Sequence, residues 1–324
     1  MSLESGRPPE QVADGCWRIT LPDPYPPGVV AVYLLETGDA PLLLDAGPPG
    51  DEAAAALERG LARLGLDRAD AGGVVLSHHH LDHAGGLAAG DAVPPLVTHA
   101  ATARRLGEDR RGGAERAEDL LRRAGVPAGE RELLRRYREP DPPDGFREIA
   151  VDRRLEGDEG PLEGASGWRW IRVRGHAPGH LLVHRPSDGT MLSFDQFMDR
   201  LKTPLALGDP DADPWGAYLR SLDRAAEAGP ATMFPAHTGA IEPAGPWLER
   251  RRRSMGRTLE RMASTVAEGA ETAWEVAGSV FSRDPAPGQK ALLVRETLAG
   301  LRRLGATGEA RRRLEEGVER YRPA

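Results

Sequence analysis

The chain is short of cysteine, of lysine and of long apolar runs. Cys16 stands alone, which excludes an intrachain disulfide and a thiolate-held cluster, so any metal must be held by nitrogen and oxygen. No stretch approaches the roughly 18 apolar residues of a membrane span. The opening residues, MSLESGRPPEQVADGCW, lack a basic segment followed by an apolar one, and a cytoplasmic protein without a membrane partner is expected. Lysine occurs only at Lys202 and Lys290 while arginine is abundant, a bias that reads as genome composition rather than function. Internal repeats and low-complexity segments are missing too.

What is present suits a folded globular chain: 324 residues, 40% hydrophobic and 29% charged, enough for one large core or two smaller ones. The net charge of -7 hides an asymmetry. Residues 247–324 carry 16 basic and 11 acidic side chains, whereas residues 1–246 carry 27 basic and 39 acidic ones. That contrast marks residues 247–324 as a separate module.

Short apolar runs alternate with amphipathic stretches. GVVAVYLLETGD (28–39), PLLLDAG (41–47), GGVVLS (72–77), PLVTH (95–99), WRWIRV (168–173), HLLVHRP (180–186), TMLSFD (190–195) and ATMFP (231–235) read as strands. DEAAAALERGLARLGL (51–66) has helical apolar spacing and acidic residues in its first turn. Strands alternating with helices predict an α/β layered fold. Residues 100–145 interrupt the pattern with a highly charged helical stretch, expected to cover a site as an insertion.

LSHHHLDHAGG (76–86) places four of the nine histidines within six positions. After a strand, positions i and i+2 point the same way, so His78 and His80 converge, and the following turn brings Asp82 and His83 round the other side. That spacing can build two metal sites of imidazole and carboxylate. Gly85 and Gly86 let the backbone leave without obstruction. Asp45, His180, Asp195 and His237 each stand at a strand tip as further candidates. His79 points away and reads as structural, as do His99 and His184. His176 reads equally as a structural histidine or as one that orients a ligand or substrate.

These motifs resemble those of the metallo-β-lactamase-fold hydrolase superfamily: H-x-H-x-D-H is met by His78, His80, Asp82 and His83, followed in order by His180, Asp195 and His237, with Asp45 ahead. The resemblance spans about residues 28–240. It implies an αββα sandwich for residues 1–246, with two metals at one edge between its sheets. One metal would take His78, His80 and His180, and the other Asp82, His83 and His237. Asp195 and a water-derived hydroxide would bridge them, and Asp45 would orient a histidine. Zn²⁺ is the expected metal, with iron or manganese as alternatives. Phe194 and Ala236 stand where the family usually has glycine, and Phe194 together with Tyr137 is expected to touch substrate.

The bridging aspartate separates the chain from true β-lactamases of this fold, and His80 separates it from the di-iron oxygen reductases. What remains resembles glyoxalase II, thioesterases, lactonases and some ribonucleases. In the tail, Thr272 and Glu275 form a capping box with Trp274, Ala277 and Phe281 on one face, and residues 290–306 supply a second helix through Val294, Leu298 and Leu301. This resembles a winged-helix-like C-terminal domain, which packs against the body or binds a partner. The reading is a binuclear hydrolase of an ester or thioester, with Asp82 as proton acceptor and a small-molecule or carrier-linked acyl substrate. A ribonuclease that engages phosphates through Arg302, Arg303 and Arg311 is the alternative, disfavoured by the acidic body. A non-catalytic metal-binding interaction protein is the third reading.

Overall fold

The computed structural model describes residues 4, 6–88, 94–108, 112–138, 141–143, 149–209, 212–281 and 285–324. Its chain divides into two compact units: residues up to 109, 143–203 and 224–247 form the first, and residues 110–142, 204–223 and 248–324 the second.

The first unit holds two sheets. Seven strands lie side by side in chain order: β1 (Glu10–Ala13), β2 (Cys16–Pro22), β3 (Val29–Leu35), β4 (Leu42–Leu44), β5 (Gly73–Leu76), β6 (Leu96–His99) and β7 (Arg153–Leu155). β1 to β4 pair antiparallel and β4 to β7 parallel. The second sheet runs β12 (Thr232–Pro235), β11 (Thr190–Phe194), β10 (His180–Arg185), β9 (Arg169–Val173) and β8 (Glu159–Pro161). The fold is thus the mixed α/β architecture expected, and every expected strand falls on one observed.

Burial is continuous rather than alternating along β4, β5 and β11, as it must be for strands covered on both faces. Both sheets feed one apolar cluster, from Leu21, Val32 and Leu44 to Leu181, Leu192 and Phe234. Main-chain bonds stitch the sheets where they meet: Ala31 N donates to Ala236 O at 2.7 Å and Leu181 N to Ser77 O at 3.0 Å. The Tyr33 hydroxyl donates to Pro235 O at 2.7 Å.

Three helices belong to this unit: α1 (Asp51–Arg63), α2 (Leu81–Ala84) and α3 (Ala100–Leu106). In α1, Asp51 and Glu52 oppose the positive end of the helix dipole, and Ala53, Ala56, Leu57, Gly60 and Leu61 make the buried stripe. Gly60 is a packing requirement, because a Cβ there would lie 2.5 Å from Ile19 Cγ2 of β2.

The second unit contains α4 (Gly113–Arg123), α5 (Ala128–Leu134), residues 214–223 of α6 (Pro214–Ala228), most of α7 (Ala244–Ala267), α8 (Ala273–Val280), α9 (Pro287–Thr307) and a hairpin of β13 (Ala310–Glu315) and β14 (Val318–Pro323). The charged stretch 100–145 therefore divides: α3 stays with the sheets, while α4 and α5 join the C-terminal helices. Residues 109–111, 139–140 and 144–145 of that stretch lie outside the described residues. The expected boundary at 246/247 falls inside α7, which is continuous across it.

Thr272 and Glu275 form the capping box, with Thr272 N donating to Glu275 Oε2 at 3.0 Å and Glu275 N to Thr272 Oγ1 at 3.3 Å. The buried face of α8 is Ala273, Val276, Ala277 and Val280, so it is turned from the one expected. Trp274 instead lies beneath the Lys290 ammonium, 4.6 Å from the ring centroid. In α9, Val294, Leu298 and Leu301 are buried as their spacing predicts. No helix among the described residues is long and apolar enough to cross a membrane.

Arg302 and Arg303, expected to contact phosphate in the nuclease reading, are occupied. Arg302 is buried against Glu319, with Nη2 to Oε1 at 2.8 Å, and Arg303 pairs with Asp213 at 2.8 Å. Of the three arginines only Arg311 is exposed. A guanidinium buried against a carboxylate has its charge spent inside the protein.

Candidate metal centre

Five strand ends of the first unit deliver polar side chains to one place. β5 leads through Ser77 into His78, His79 and His80, and α2 adds Asp82 and His83. Asp45 follows β4, Asp195 follows β11, His237 follows β12, and His176 lies in the turn from β9 to β10.

Two groups of ligand atoms result. His78, His80, His176 and Asp195 each present an atom within 4.8 Å of the others, and so do Asp82, His83, Asp195 and His237. In the first group, His78 Nε2 lies 3.0 Å from His80 Nδ1 and 3.1 Å from His176 Nε2, which is 3.7 Å from Asp195 Oδ2. In the second, Asp195 Oδ1 lies 3.3 Å from both His83 Nε2 and His237 Nε2. Asp82 Oδ2 is 3.1 Å from His237 Nε2 and 3.6 Å from His83 Nε2. Asp195 thus turns one oxygen to each group.

The rings are held from behind. His83 Nδ1 donates to Asp45 Oδ2 at 2.7 Å, His237 Nδ1 donates to the Val29 carbonyl at 2.7 Å, and His78 Nδ1 bonds Ser77 Oγ at 3.0 Å. Each bond fixes a tautomer and turns the opposite nitrogen inward. Asp45 in turn accepts from Ser77 N at 2.6 Å and Ser77 Oγ at 2.8 Å, in a left-handed backbone conformation of φ +67°. Gly86 allows this loop to close, since a Cβ there would collide with the Ala46 carbonyl.

Buried polar atoms are normally paired, yet His83 Nε2 and Asp195 Oδ1 are buried without a hydrogen-bond partner. Imidazole nitrogens facing one another at hydrogen-bond distance, with carboxylates beside them, form a donor set suited to divalent cations. Without a cation the groups divide by charge. Burial depresses His78, and the neighbouring histidines add to it, so that it stays neutral. Burial also opposes the charge on His83 and His237, but Asp195 and Asp82 outweigh it and hold both rings well above the usual imidazole range. Burial would raise Asp82, but His83 and His237 hold it at about 2.

His180, expected in the first group, is not in it, and His176 takes that place. The reason is the strand. His180 pairs with Val173 as the first residue of β10, and sheet alternation points it into the core, stacked on His78 (4.8 Å between centroids) and edge-on to Phe194 (6.2 Å). His176 precedes the strand and escapes that constraint. Both ring nitrogens of His180 are buried without a hydrogen-bond partner, and burial keeps it neutral.

Phe194 does not line an opening. It is 1% exposed, edge-on to Tyr33 at 5.8 Å, with φ +47°, the left-handed region that favours glycine. Tyr137 belongs to the second unit, half-exposed with its ring against Gly288 of α9. His99 caps α3, accepting from Ala101 N at 3.0 Å, and His184 is buried in β10. Asp23, unremarked in the sequence, is buried with Oδ2 unpartnered; burial, with Asp82 adding to it, raises its carboxyl to about 6.

Residues 25–237 match the family model of the metallo-β-lactamase superfamily. The chain is 30% identical over 273 residues to the probable metallo-hydrolase YqjP of Bacillus subtilis (strain 168), covering 81% of this chain and 84% of that one. Among solved structures it is similar to a metallo-β-lactamase family protein of Thermus thermophilus, with a TM-score of 0.75, 26% identity, and 97% and 100% of the two chains covered. A β-lactamase domain protein of Burkholderia ambifaria shares the fold, with a TM-score of 0.77, 23% identity, and 98% and 95% covered.

Proposed function

Because the chain belongs to the metallo-β-lactamase superfamily and is by family a metal-dependent hydrolase, we propose that it binds two divalent cations and cleaves an ester or thioester. The observation that carries this reading is Asp195, which divides its two oxygens between two groups of histidine ligands. His78, His80 and His176 would hold one cation, Asp82, His83 and His237 the other, and Asp195 would serve both; zinc is the first choice on donor type.

Cations held there would supply Lewis acidity toward a carbonyl and lower the pKa of water toward about 7. The chain's own groups supply the rest. Asp45, Ser77 and the Val29 carbonyl hold the imidazoles in one orientation, so no reorganisation is needed during reaction. Asp82, ionised at neutral pH, is placed to accept a proton beside His237 and return it to the leaving group. A thiolate or alkoxide that leaves readily needs little further assistance, which favours thioesters and esters over amides. Burial of Arg302 and pairing of Arg303 weigh against the nuclease reading.

The test is metal analysis of the purified protein followed by assay on thioesters, lactones and single-stranded RNA. Two cations per chain and metal-dependent thioester cleavage are expected. His176→Ala should lose one cation and nearly all activity, whereas His180→Ala should keep both cations. A His176→Ala protein that retains two, or metal-dependent cleavage confined to RNA, would overturn the assignment.

A further inference from the structure

The hairpin β13–β14 carries four arginines on one face. Side chains alternate along each strand, so Ala310, Arg312 and Leu314 share a face with Glu319, Tyr321 and Pro323, while Arg311, Arg313 and Glu315 share the other with Val318, Arg320 and Arg322. The register sets Arg311 directly opposite Arg322 and Arg313 opposite Arg320. Like charges in directly opposed positions destabilise a sheet, so such a face requires anions.

On β14 the anion is internal. Glu271 bridges the two arginines, with Oε2 3.0 Å from Arg320 Nη1 and Oε1 2.6 Å from Arg322 Nε. Its carbonyl also accepts from Tyr321 N at 2.8 Å, so the residue lies against the edge of β14. β13 presents the same spacing: Arg311 and Arg313 are two residues apart on one face, both exposed, and neither makes an ion pair among the described residues. Among the described residues the sheet has two strands, so β13 also has one edge without a strand. One half of the hairpin therefore displays a filled carboxylate site and the other half the same site unfilled.

We propose that this face of β13 docks an extended acidic segment of another polypeptide, with a carboxylate bridging Arg311 and Arg313 as Glu271 bridges Arg320 and Arg322. Guanidinium binds carboxylate in a two-pronged geometry, and edge docking adds main-chain bonds. A nucleic-acid strand fits less well. The face carries no aromatic ring on which a base could stack, and the carboxylates that pair with Arg320 and Arg322 show the geometry a further carboxylate would adopt. A membrane surface fits less well too, because Val318 is the face's only apolar side chain.

The experiment uses the full-length protein and a fluorescein-labelled peptide of alternating glutamate and threonine, followed by anisotropy at low and physiological salt. Binding should weaken at least tenfold in Arg311→Gln/Arg313→Gln and by an intermediate factor in Arg311→Gln alone. Thermal melting should hold or rise slightly, since both side chains are exposed and each faces another arginine across the hairpin. An oligodeoxythymidylate of equal charge should bind more weakly than the peptide. Failure of the peptide to bind, equal binding by the double variant, or tighter binding of the oligonucleotide overturns the proposal.

Discussion

Replacing Phe194 sets packing against backbone conformation, and the structure fixes the order of outcomes. The side chain is 1% exposed between the rings of Tyr33 and His180, so truncation to alanine should cost about 3–5 kcal/mol in transfer and cavity terms. Glycine removes the same ring, yet at φ +47° it relieves a left-handed conformation worth about 1–2 kcal/mol to any other residue. Against that, glycine loses about 0.5–1 kcal/mol of extra backbone entropy on folding. The balance favours Phe194→Gly over Phe194→Ala by up to about 1.5 kcal/mol, the reverse of the usual ranking, with both well below the parent. Urea unfolding of the three metal-free proteins, compared by midpoint at constant m, reads this directly. If alanine proves the more stable substitution, the backbone argument is wrong. If neither loses more than about 1 kcal/mol, the ring is not a packed core residue.

Asp45→Asn keeps a residue tolerant of positive φ but disturbs the direct bond to His83 Nδ1, so affinity for the second cation should fall roughly 10- to 100-fold, and the first, reached only through Ser77 and His78, should lose less; chelator competition would show equal loss at both sites if the reasoning fails. Glu319→Ala leaves the buried Arg302 guanidinium uncompensated and should cost about 3–5 kcal/mol, whereas a loss below about 1 kcal/mol in urea would show the pair to be inessential. Asp23 has its carboxyl raised to about 6, so the folded protein binds a proton there that the unfolded chain has released between about pH 4 and 6, and stability falls as pH rises through that window. Asp23→Asn should therefore stabilise the metal-free protein by at least about 1 kcal/mol at pH 7 and leave it nearly unchanged at about pH 4, and an equal effect at both would refute the burial argument.

Much of the first unit is legible because its signals are local. Apolar runs bounded by glycine and aspartate mark β3, β5 and β11, and a histidine at every second position after a strand marks convergence. Histidines 176 and 180 could not be separated that way. Both flank a Pro-Gly turn, and only the residue at which β10 begins decides which ring faces the core. Phe194 read as a pocket residue because nothing local distinguishes a buried aromatic from an exposed one at a strand end. β1, β7 and β8 went unseen for a different reason: they span four, three and three residues, too few to show a period, whereas β2 was missed although Ile19 and Leu21 alternate there with Arg18 and Thr20 over seven residues. The turned face of α8 has a similar origin, since an eight-residue helix offers two equally spaced apolar stripes and tertiary packing selects one.

The second unit gathers residues 110–142, 204–223 and 248–324, stretches that leave the ribosome at widely separated times. α4 and α5 emerge long before α9 exists to receive them, so this unit cannot close until α9 has been made. Their dense charge keeps the waiting segment hydrated rather than adhesive. The same threading means that no single cut detaches this unit. A stop at residue 246 would strand α4, α5 and the first part of α6 without the C-terminal helices of their own unit.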